Sequence, residues 1–396
     1  MLDLPPLPLL IALVVILPLA AASGWLVARR GMKAASGAKR PDLSSDYFRG
    51  LNFLLNEQPD KAIEVFIQML EVDSETVETH LALGNLFRRR GEVDRAIRIH
   101  QNIIARPTLS REQRSLALYE LGQDYMTAGL LDRAENLFQE LIELGEYKAE
   151  ALRQLLEVYE QEKDWQNAIE IARQYEFVAG VKTSAVIAHY YCECAEQAMQ
   201  KNELRTARQM VKKALGVDKG CVRASLLMGQ LDMLAGDCKS AIRAYRKVEE
   251  QDADYLSEVI EPLENCYRSA NSLAEFKNYL GDLLQRYGGV TVMLSLASII
   301  KQEQDERAAT NFIIEELRKR PSVRGLERLV AYNMQGTEGA AKDNLYILND
   351  LIKKLLGIKA LYKCKSCGFE GKTLHWHCPS CKRWNTVKPI QDIVET

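Results

Sequence analysis

The sequence predicts an all-α protein: a superhelix of paired helices, preceded by one transmembrane helix and followed by a small four-cysteine knuckle. Three observations predict this order. A run near the N-terminus lacks charge, a pattern of small residues, aromatics and alanines recurs about every 34 residues, and two C-x-x-C motifs stand near the C-terminus. The 396 residues are 47% hydrophobic with a net charge of -2, which suits a large core and gives no argument for binding nucleic acid.

The uncharged run extends from Leu4 to Ala28. As a helix it can cross about 30 Å of hydrocarbon, at roughly 1.5 Å per residue. Basic residues follow the run between positions 29 and 40, and none precedes it. This charge bias predicts an outside N-terminus and a cytosolic main chain, and it argues against a cleaved signal peptide, which needs a basic start. We predict a stub over residues 1–6, a transmembrane anchor over 7–28 and a basic linker over 29–42.

The repeated pattern is a small residue, an aromatic three positions later and an alanine twelve positions after the small residue. Gly84, Phe87 and Ala96 show it clearly. The alanine recurs at positions 62, 96, 134, 168, 207, 241 and 309, while Glu275 stands in its place in one degenerate unit. This period resembles the tetratricopeptide repeat, a helix–turn–helix unit. We predict about eight repeats over residues 43–323 and a pair of terminal helices over 324–357.

A tetratricopeptide array normally binds peptides or proteins along a concave groove. Projecting the repeat register predicts groove residues on the first helix of units two, three and four. These partner-groove candidates are Asn85, Arg88, Arg89, Tyr119, Gln123, Met126, Glu150, Arg153, Glu157 and Glu160. A basic stretch beside an acidic stretch can set the register of a bound partner. The alternative is an ordinary solvated charged face.

The C-terminal motifs are Cys364-x-x-Cys367 and Cys378-x-x-Cys381. Each C-x-x-C turn points two thiolates at one place, and four thiolates form the tetrahedral set that zinc or iron prefers. A pair of disulfides is the alternative, but the five other cysteines fall in helical patterns and favour a reduced, cytosolic protein. We predict that these four cysteines bind one metal ion within a domain over residues 358–396.

This small domain is too short to form a core of its own. Its apolar residues therefore need a surface, and Trp376 and Trp384 are predicted to dock it on the helical array. The expected surface is the terminal helix, whose leucines recur at helical spacing between residues 345 and 356. His375 and His377 are predicted to be loop residues, because four thiolates already complete a tetrahedral site.

The sequence contains no phosphate-binding loop, dinucleotide fingerprint, metalloprotease motif or hydrolase elbow. We therefore predict a protein that is not an enzyme. The basic residues around the knuckle would suit nucleic acid, but a lone knuckle is weak support for such binding, and we predict none.

The order of anchor, repeats and knuckle resembles the lipopolysaccharide assembly protein B (LapB) family of Gram-negative bacteria. The segments YKCKSCGF over residues 362–369 and WHCPSCKRW over residues 376–384 carry the resemblance. It implies a rubredoxin-like tail that holds iron, with zinc as the alternative. It also implies a single-pass protein of the cell inner membrane, with a periplasmic N-terminus and the bulk of the chain on the cytoplasmic side.

The same resemblance implies a regulatory adaptor. Such a protein modulates lipopolysaccharide biosynthesis by promoting proteolysis of the lipid A-committing deacetylase LpxC by the membrane protease FtsH, and by scaffolding lipopolysaccharide assembly proteins. The implied partners also include LapA and an inner-membrane protein that senses lipopolysaccharide. The alternatives are an iron-dependent electron-transfer protein, although the two cysteine loops lie closer in sequence than in a true rubredoxin, and a generic scaffold for envelope enzymes.

Overall fold

The computed structural model describes residues 45–56, 58–72, 77–335 and 338–390. Within these ranges, eighteen α-helices follow one another and a small antiparallel sheet closes the described chain. No helix in this part of the chain is long and apolar enough to cross a membrane. The predicted anchor over residues 7–28 and linker over 29–42 lie outside the described residues.

The chain divides into two compact units, the first ending at Tyr147 and the second starting at Lys148. The first unit holds six described helices, which form three consecutive pairs. They are α1 (Ser45–Leu55), α2 (Pro59–Val72), α3 (Val77–Arg89), α4 (Val93–Ile104), α5 (Arg111–Thr127) and α6 (Leu131–Leu144). Their ends follow local chemistry: Ser110 and Gln113 form a capping box at the start of α5, and Gly145 ends α6 in the left-handed conformation.

The second unit continues with six further helix pairs. They are α7 (Lys148–Glu162), α8 (Trp165–Ala179), α9 (Ser184–Gln200), α10 (Leu204–Val217), α11 (Val222–Leu234), α12 (Cys238–Gln251), α13 (Leu256–Ser269), α14 (Leu273–Arg286), α15 (Val290–Glu303), α16 (Glu306–Lys319), α17 (Val323–Gln335) and α18 (Ala340–Ile358). A single 3-10 turn (Ala253–Tyr255) precedes α13. The last pair, α17 and α18, occupies the predicted terminal-helix segment.

The structure explains why the sequence pattern repeats. All seven alanines of the register are completely buried, which lets the two helices of each pair approach closely. In four of the described units the small residue is a glycine that packs against a ring of the second helix: Gly50 against Phe66, Gly84 against His100, Gly122 against Phe138 and Gly229 against Tyr245. A Cβ atom added to Gly122 would lie 2.6 Å from Phe138, and one added to Gly229 would lie 2.5 Å from Tyr245. The positions of the predicted tetratricopeptide pattern are therefore those at which the two helices of a pair pack together.

The sheet forms the frame of the four-cysteine module, which we define as residues 362–389. Strands β1 (Tyr362–Cys364), β2 (Glu370–Gly371) and β3 (Val387–Pro389) pair in the order β2-β1-β3. Both pairings are antiparallel, with Lys363 opposite Glu370 on one side and Lys388 on the other. The module packs against a large buried cluster of the second unit through Leu374 and Trp376.

The expected docking surface for this module was wrong. Leu348 and Leu355 of α18 are 43% and 57% exposed, whereas Trp376 packs beside Tyr255, which is fully buried. Helical spacing of leucines marks an apolar face but not what covers it, and the module instead uses helices earlier in the second unit.

Candidate metal centre and its docking surface

The two C-x-x-C turns have the same backbone design. Cys364 ends β1, and its N–H donates to the carbonyl of Phe369 at 2.7 Å, while the Gly368 N–H donates back to the Cys364 carbonyl at 3.0 Å. In the second turn, the Cys378 N–H donates to Arg383 and the Lys382 N–H donates to Cys378, both at 3.0 Å. Gly368 and Lys382 have positive φ angles of 79° and 56°. Each turn therefore folds back so that its two sulfurs face the same point.

The four sulfurs of Cys364, Cys367, Cys378 and Cys381 lie within 4.8 Å of one another. Two pairs are closer: Cys364 and Cys381 at 3.8 Å, and Cys367 and Cys378 at 3.7 Å. Sulfurs bound at about 2.3 Å from a tetrahedral zinc ion lie roughly 3.8 Å apart, so the spacing fits an ion held by four thiolates. A disulfide needs sulfurs about 2 Å apart, and all four cysteines are free.

Hydrogen bonds around the sulfurs favour thiolates at two of the four positions. Burial of Cys364 opposes ionisation, but its contact with Thr386 Oγ1 at 3.3 Å and the N–H of Ser366 at 3.4 Å lower the pKa of its thiol to about 6. The backbone N–H of Arg383 lowers the pKa of Cys381. Burial raises the pKa of Cys378 to about 11. A bound cation would favour the thiolate form at all four positions.

Trp384 anchors one end of the module. Its Nε1–H donates to Glu160 Oε1 at 2.8 Å, and Glu160 also accepts a hydrogen bond from Tyr190 at 2.6 Å. The indole stacks between His377 of the module and His189 of α9, with ring centroids 4.5 and 5.2 Å apart. Trp384 thus combines a charge-assisted hydrogen bond with aromatic packing on both faces.

Trp376 anchors the other end. Its ring centroid lies 5.1 Å from that of Tyr255, and the guanidinium of Arg223 lies 6.0 Å from its centroid. Tyr255 Oη lies 3.0 Å from both the carbonyl oxygen of Val387 and Asn385 Oδ1, which share its single proton as acceptors. Tyr255 is completely buried in the docked state, and both hydrogen-bond partners of its hydroxyl group belong to the module.

Carboxylates of the second unit face a basic module. Lys388 forms an ion pair with Asp252. Tyr362 Oη donates to Glu258 Oε1 at 3.1 Å, and burial together with Glu258 raises the pKa of Tyr362 to about 12. Together with Glu160, which accepts from Trp384, three separate carboxylates of the second unit therefore bind the module.

The predicted groove residues of the first unit have mixed environments. Arg88 pairs with Glu120 at 2.6 Å and with the buried Asp124 at 2.8 Å, so its guanidinium group links α3 to α5. Asp124 also contacts His100 Nδ1 at 2.5 Å. Arg89 is exposed, and Met126 is half-buried.

The other candidates of this unit are partly buried. Tyr119 stacks on Tyr147 with ring centroids 6.0 Å apart. Asn85 Oδ1 and Gln123 Nε2 are buried and have no hydrogen-bond partner among the described residues. Both follow the glycine of their repeat, so they occupy equivalent places one repeat apart.

The acidic candidates lie on α7 in the second unit. Glu150, Arg153 and Glu157 are exposed, and Arg153 pairs with Glu157 at 3.8 Å. About half of the Glu157 side chain is exposed, and partial desolvation of the remainder raises the pKa of its carboxyl despite that arginine. Glu160 has a different role, because it holds the chain's own module. The sequence reading missed His189, Arg223, Asp252 and Tyr255 as docking residues, and no local pattern marks them.

Curated relatives match this chain over almost its whole length. Lipopolysaccharide assembly protein B of Escherichia coli (strain K12) is 41% identical over 382 residues, which are 96% of this chain and 98% of that protein. The chain belongs to the lipopolysaccharide assembly protein B family. The protein of the same name from Haemophilus influenzae (strain ATCC 51907 / DSM 11121 / KW20 / Rd) is 37% identical over 390 residues, with the same coverage of both chains.

Family models match both the repeats and the four-cysteine module of this LapB-family chain. Tetratricopeptide repeat models match residues 79–112 and 119–180, and a rubredoxin metal binding domain matches residues 362–389. These matches confirm the predicted tetratricopeptide fold and the rubredoxin-like tail. Among solved structures, "Structure of Naa15/Naa10 bound to HypK-THB" covers 79% of this chain and 47% of that chain, at 14% identity and a TM-score of 0.42, which adds no further argument.

Proposed function

We propose that this protein is a membrane-anchored adaptor of the inner membrane that regulates lipopolysaccharide biosynthesis. In this proposal it promotes FtsH-dependent proteolysis of LpxC and scaffolds lipopolysaccharide assembly proteins, with LapA and a lipopolysaccharide-sensing membrane protein among its partners. The relatives' name supports a role in lipopolysaccharide assembly. The repeat fold supports an adaptor, because repeat arrays present extended surfaces for protein partners.

One structural observation carries the proposal. The four-cysteine module is packed on the repeats through Trp376, Trp384 and Tyr255, and is not a separate domain tethered by a linker. Docking of this kind makes the bound ion a structural element of the repeat surface. In our proposal Cys364, Cys367, Cys378 and Cys381 hold iron, or zinc as the alternative, and the ion supplies folding energy to the module.

The proposal is tested by measuring LpxC turnover in a Gram-negative host whose own family member has been removed. Expression of this chain should shorten the LpxC half-life after synthesis is stopped, and the effect should require active FtsH. A variant without residues 1–28 should accumulate as a folded protein yet act poorly, because it loses the concentration gain of sharing a membrane with protease and substrate. Unchanged LpxC half-life with the full chain present would contradict the proposal.

The proposed topology has its own test. The basic residues after the uncharged run support an N-out, C-in anchor over residues 7–28. A reporter that works only in the cytoplasm, fused after residue 396, should be active, and the mature chain should keep its N-terminal segment. A reporter active only in the periplasm would contradict this orientation.

Electron transfer is the second candidate, and the exposure of Cys367 favours it. Cys367 is exposed whereas Cys364 and Cys378 are buried, so one edge of the site faces solvent. Replacing iron with zinc distinguishes the two candidate functions. A zinc-loaded chain cannot cycle between oxidation states, so full regulation of LpxC by that form supports the adaptor, and loss of function that iron restores supports redox chemistry.

A further inference from the structure

Two buried cysteines of the second unit, which belong to neither C-x-x-C motif, lie close together. Cys192 is on α9 and Cys221 precedes the first residue of α11, and their sulfurs are 4.0 Å apart. The two residues belong to successive helix pairs, so a bond between them would join one repeat to the next. Sulfurs in a disulfide are about 2 Å apart, so a movement of about 2 Å would bring this pair within bonding distance.

The surroundings of the two sulfurs differ. Cys221 is the N-cap residue of α11, and the free N–H groups of a helix N-terminus favour the thiolate form of a cysteine. The hydrogen bond with Cys192 lowers the pKa of Cys221 against the effect of its burial. Burial raises the pKa of Cys192. Cys221 is therefore the nucleophile of the pair, and Cys192 is a protonated thiol beside it.

A buried arginine holds the two helices in this arrangement. Arg223 lies in the first turn of α11 and is only 4% exposed. Its Nη2 atom pairs with Glu193 at 2.8 Å and with Glu196 at 2.9 Å, and both carboxylates are on α9. The positive charge of Arg223 also favours the thiolate form of both cysteines. These ion pairs fix α11 to α9 next to the sulfurs, so the two thiols stay close in the folded chain.

The turn before α11 gives small molecules access to Cys221. Lys219 and Gly220 are exposed, and Gly220 has no side chain to cover its neighbour. Cys221 is 3% exposed next to this turn, whereas Cys192 has no exposed surface. A small oxidant therefore reaches the nucleophilic sulfur first.

We propose that Cys192 and Cys221 form an oxidation site at which hydrogen peroxide converts the two thiols into a disulfide. In the first step the Cys221 sulfur attacks one oxygen of the peroxide. The S–O bond forms, the O–O bond breaks, and the leaving hydroxide takes up the proton given by the Cys221 thiol to become water.

In the second step the Cys192 sulfur attacks the sulfenic sulfur of Cys221. The S–S bond forms, the S–O bond breaks, and the departing hydroxide leaves as water with the Cys192 proton. The two sulfurs together lose two electrons, and one peroxide gains them and forms two waters. In a reducing compartment such a bond is transient, because thiol exchange reverses it, and a reversible bond suits a redox sensor.

The disulfide would connect two helices that hold the four-cysteine module. His189 on α9 stacks on Trp384 of the module. Arg223 on α11 lies over the ring of Trp376. Oxidation would therefore tie together the two repeats that form this part of the docking surface. The reaction is a property of the purified chain, so it can be tested without measuring LpxC.

The test treats the zinc-loaded full chain, in nanodiscs of zwitterionic lipid, with hydrogen peroxide and maps disulfides by mass spectrometry of alkylated peptides. A cross-link between Cys192 and Cys221 should form at least about tenfold faster than any cross-link to Cys238 or Cys266, and dithiothreitol should reverse it. Cys194→Ser removes a neighbouring buried thiol of α9 and should leave this rate unchanged. Metal content is measured in parallel, so that oxidation of the four-cysteine module is not mistaken for reaction at this pair.

Two variants test the order of the steps. Cys192→Ala removes the second thiol, so a sulfenic acid should persist on Cys221 and react with dimedone. Cys221→Ser keeps a favourable N-cap residue and the fold, and it should leave Cys192 without a dimedone label. Circular dichroism checks the helical content of both variants. Hydrogen exchange of α9 and the first turn of α11 should slow by about tenfold or more when the wild type is oxidised, but not when Cys221→Ser is treated in the same way.

Three outcomes would overturn the proposal. A cross-link that forms only in urea would show that the pair is an inert part of the core. Dimedone on Cys192 in Cys221→Ser would contradict the assignment of the nucleophile. Unchanged hydrogen exchange after complete cross-linking would show that the bond does not tie the two repeats together.

Discussion

Replacing Trp384 tests whether the four-cysteine module is fixed to the repeats. Trp384→Ala removes the indole, and with it the stacking on His189 and His377 and the hydrogen bond to Glu160. Removing a buried tryptophan costs about 3–5 kcal/mol, and since Trp384 is only half-buried we expect the lower end, about 3 kcal/mol. Such a loss raises the population of the undocked module roughly a hundredfold.

A second variant separates the hydrogen bond from the packing. Trp384→Phe keeps an aromatic ring between the two histidines but removes the Nε1–H donor. A hydrogen bond to a charged group contributes about 1.5–3 kcal/mol. Trp384→Phe should therefore destabilise the docked module by about half or more of the free energy that Trp384→Ala costs. Adding Glu160→Gln completes a double-mutant cycle, and the coupling between positions 160 and 384 measures how much the carboxylate charge contributes to their hydrogen bond.

Native-state hydrogen exchange is the assay, read on α9 and on the segment 253–260, which the module covers. Amide exchange in these segments should be fastest in Trp384→Ala, intermediate in Trp384→Phe and slowest in the wild type. Metal content is measured in parallel, so that metal loss is not mistaken for undocking, and Phe177→Ala serves as the exposed aromatic control. Wild-type exchange in Trp384→Ala, with metal bound, would refute the reasoning.

Three further predictions concern other parts of the molecule. Cys364→Ser should lower metal content and speed exchange over 253–260, and full occupancy in this variant would remove it from the ligand set. Gly122→Ala should destabilise the first unit by about 1–3 kcal/mol because its Cβ would meet Phe138, whereas Gly216→Ala, with open space around it, should be neutral or slightly stabilising in urea unfolding. Burial and, next, the charge of Arg223 lower the pKa of His189 to about 3, so the unfolded state binds more protons than the folded state below about pH 6.5. The free energy of unfolding should therefore fall by up to about 1.4 kcal/mol per pH unit from pH 6.5 toward pH 3. His189→Phe should reduce this slope, and an unchanged slope would contradict the prediction.

The repeats could be predicted because their signal is local. Each alanine of the register contacts a neighbour within its own helix pair, so about 34 residues of sequence contain both sides of the contact. The cysteine geometry is local as well, since two short turns define it. The identity of the metal was not predictable from these residues, because four thiolates suit both iron and zinc.

The docking surface was not predictable, because its contacts join distant parts of the chain. Trp384 meets Glu160 across 224 positions, and Tyr255 meets Asn385 across 130. Periodicity says that a face is apolar but not which face it will meet. The leucines of α18 led the sequence reading to the wrong surface for this reason. The link that Arg88 makes between two helices of its own unit was likewise not visible in the sequence, and its predicted place in a partner groove stays a prediction.

The attachment of the module has a mechanical consequence for the second unit. A row of stacked repeats behaves as a spring, because each repeat touches only its neighbours and small rotations accumulate along the row. The module contacts Glu160 on α7, His189 on α9, Arg223 on α11 and Glu258 on α13, so it spans four successive repeats. The module thus restrains the rotation of these four repeats relative to one another and holds their curvature. Removing the ion would free the four repeats from this restraint. The elasticity of this part of the second unit would then depend on metal supply.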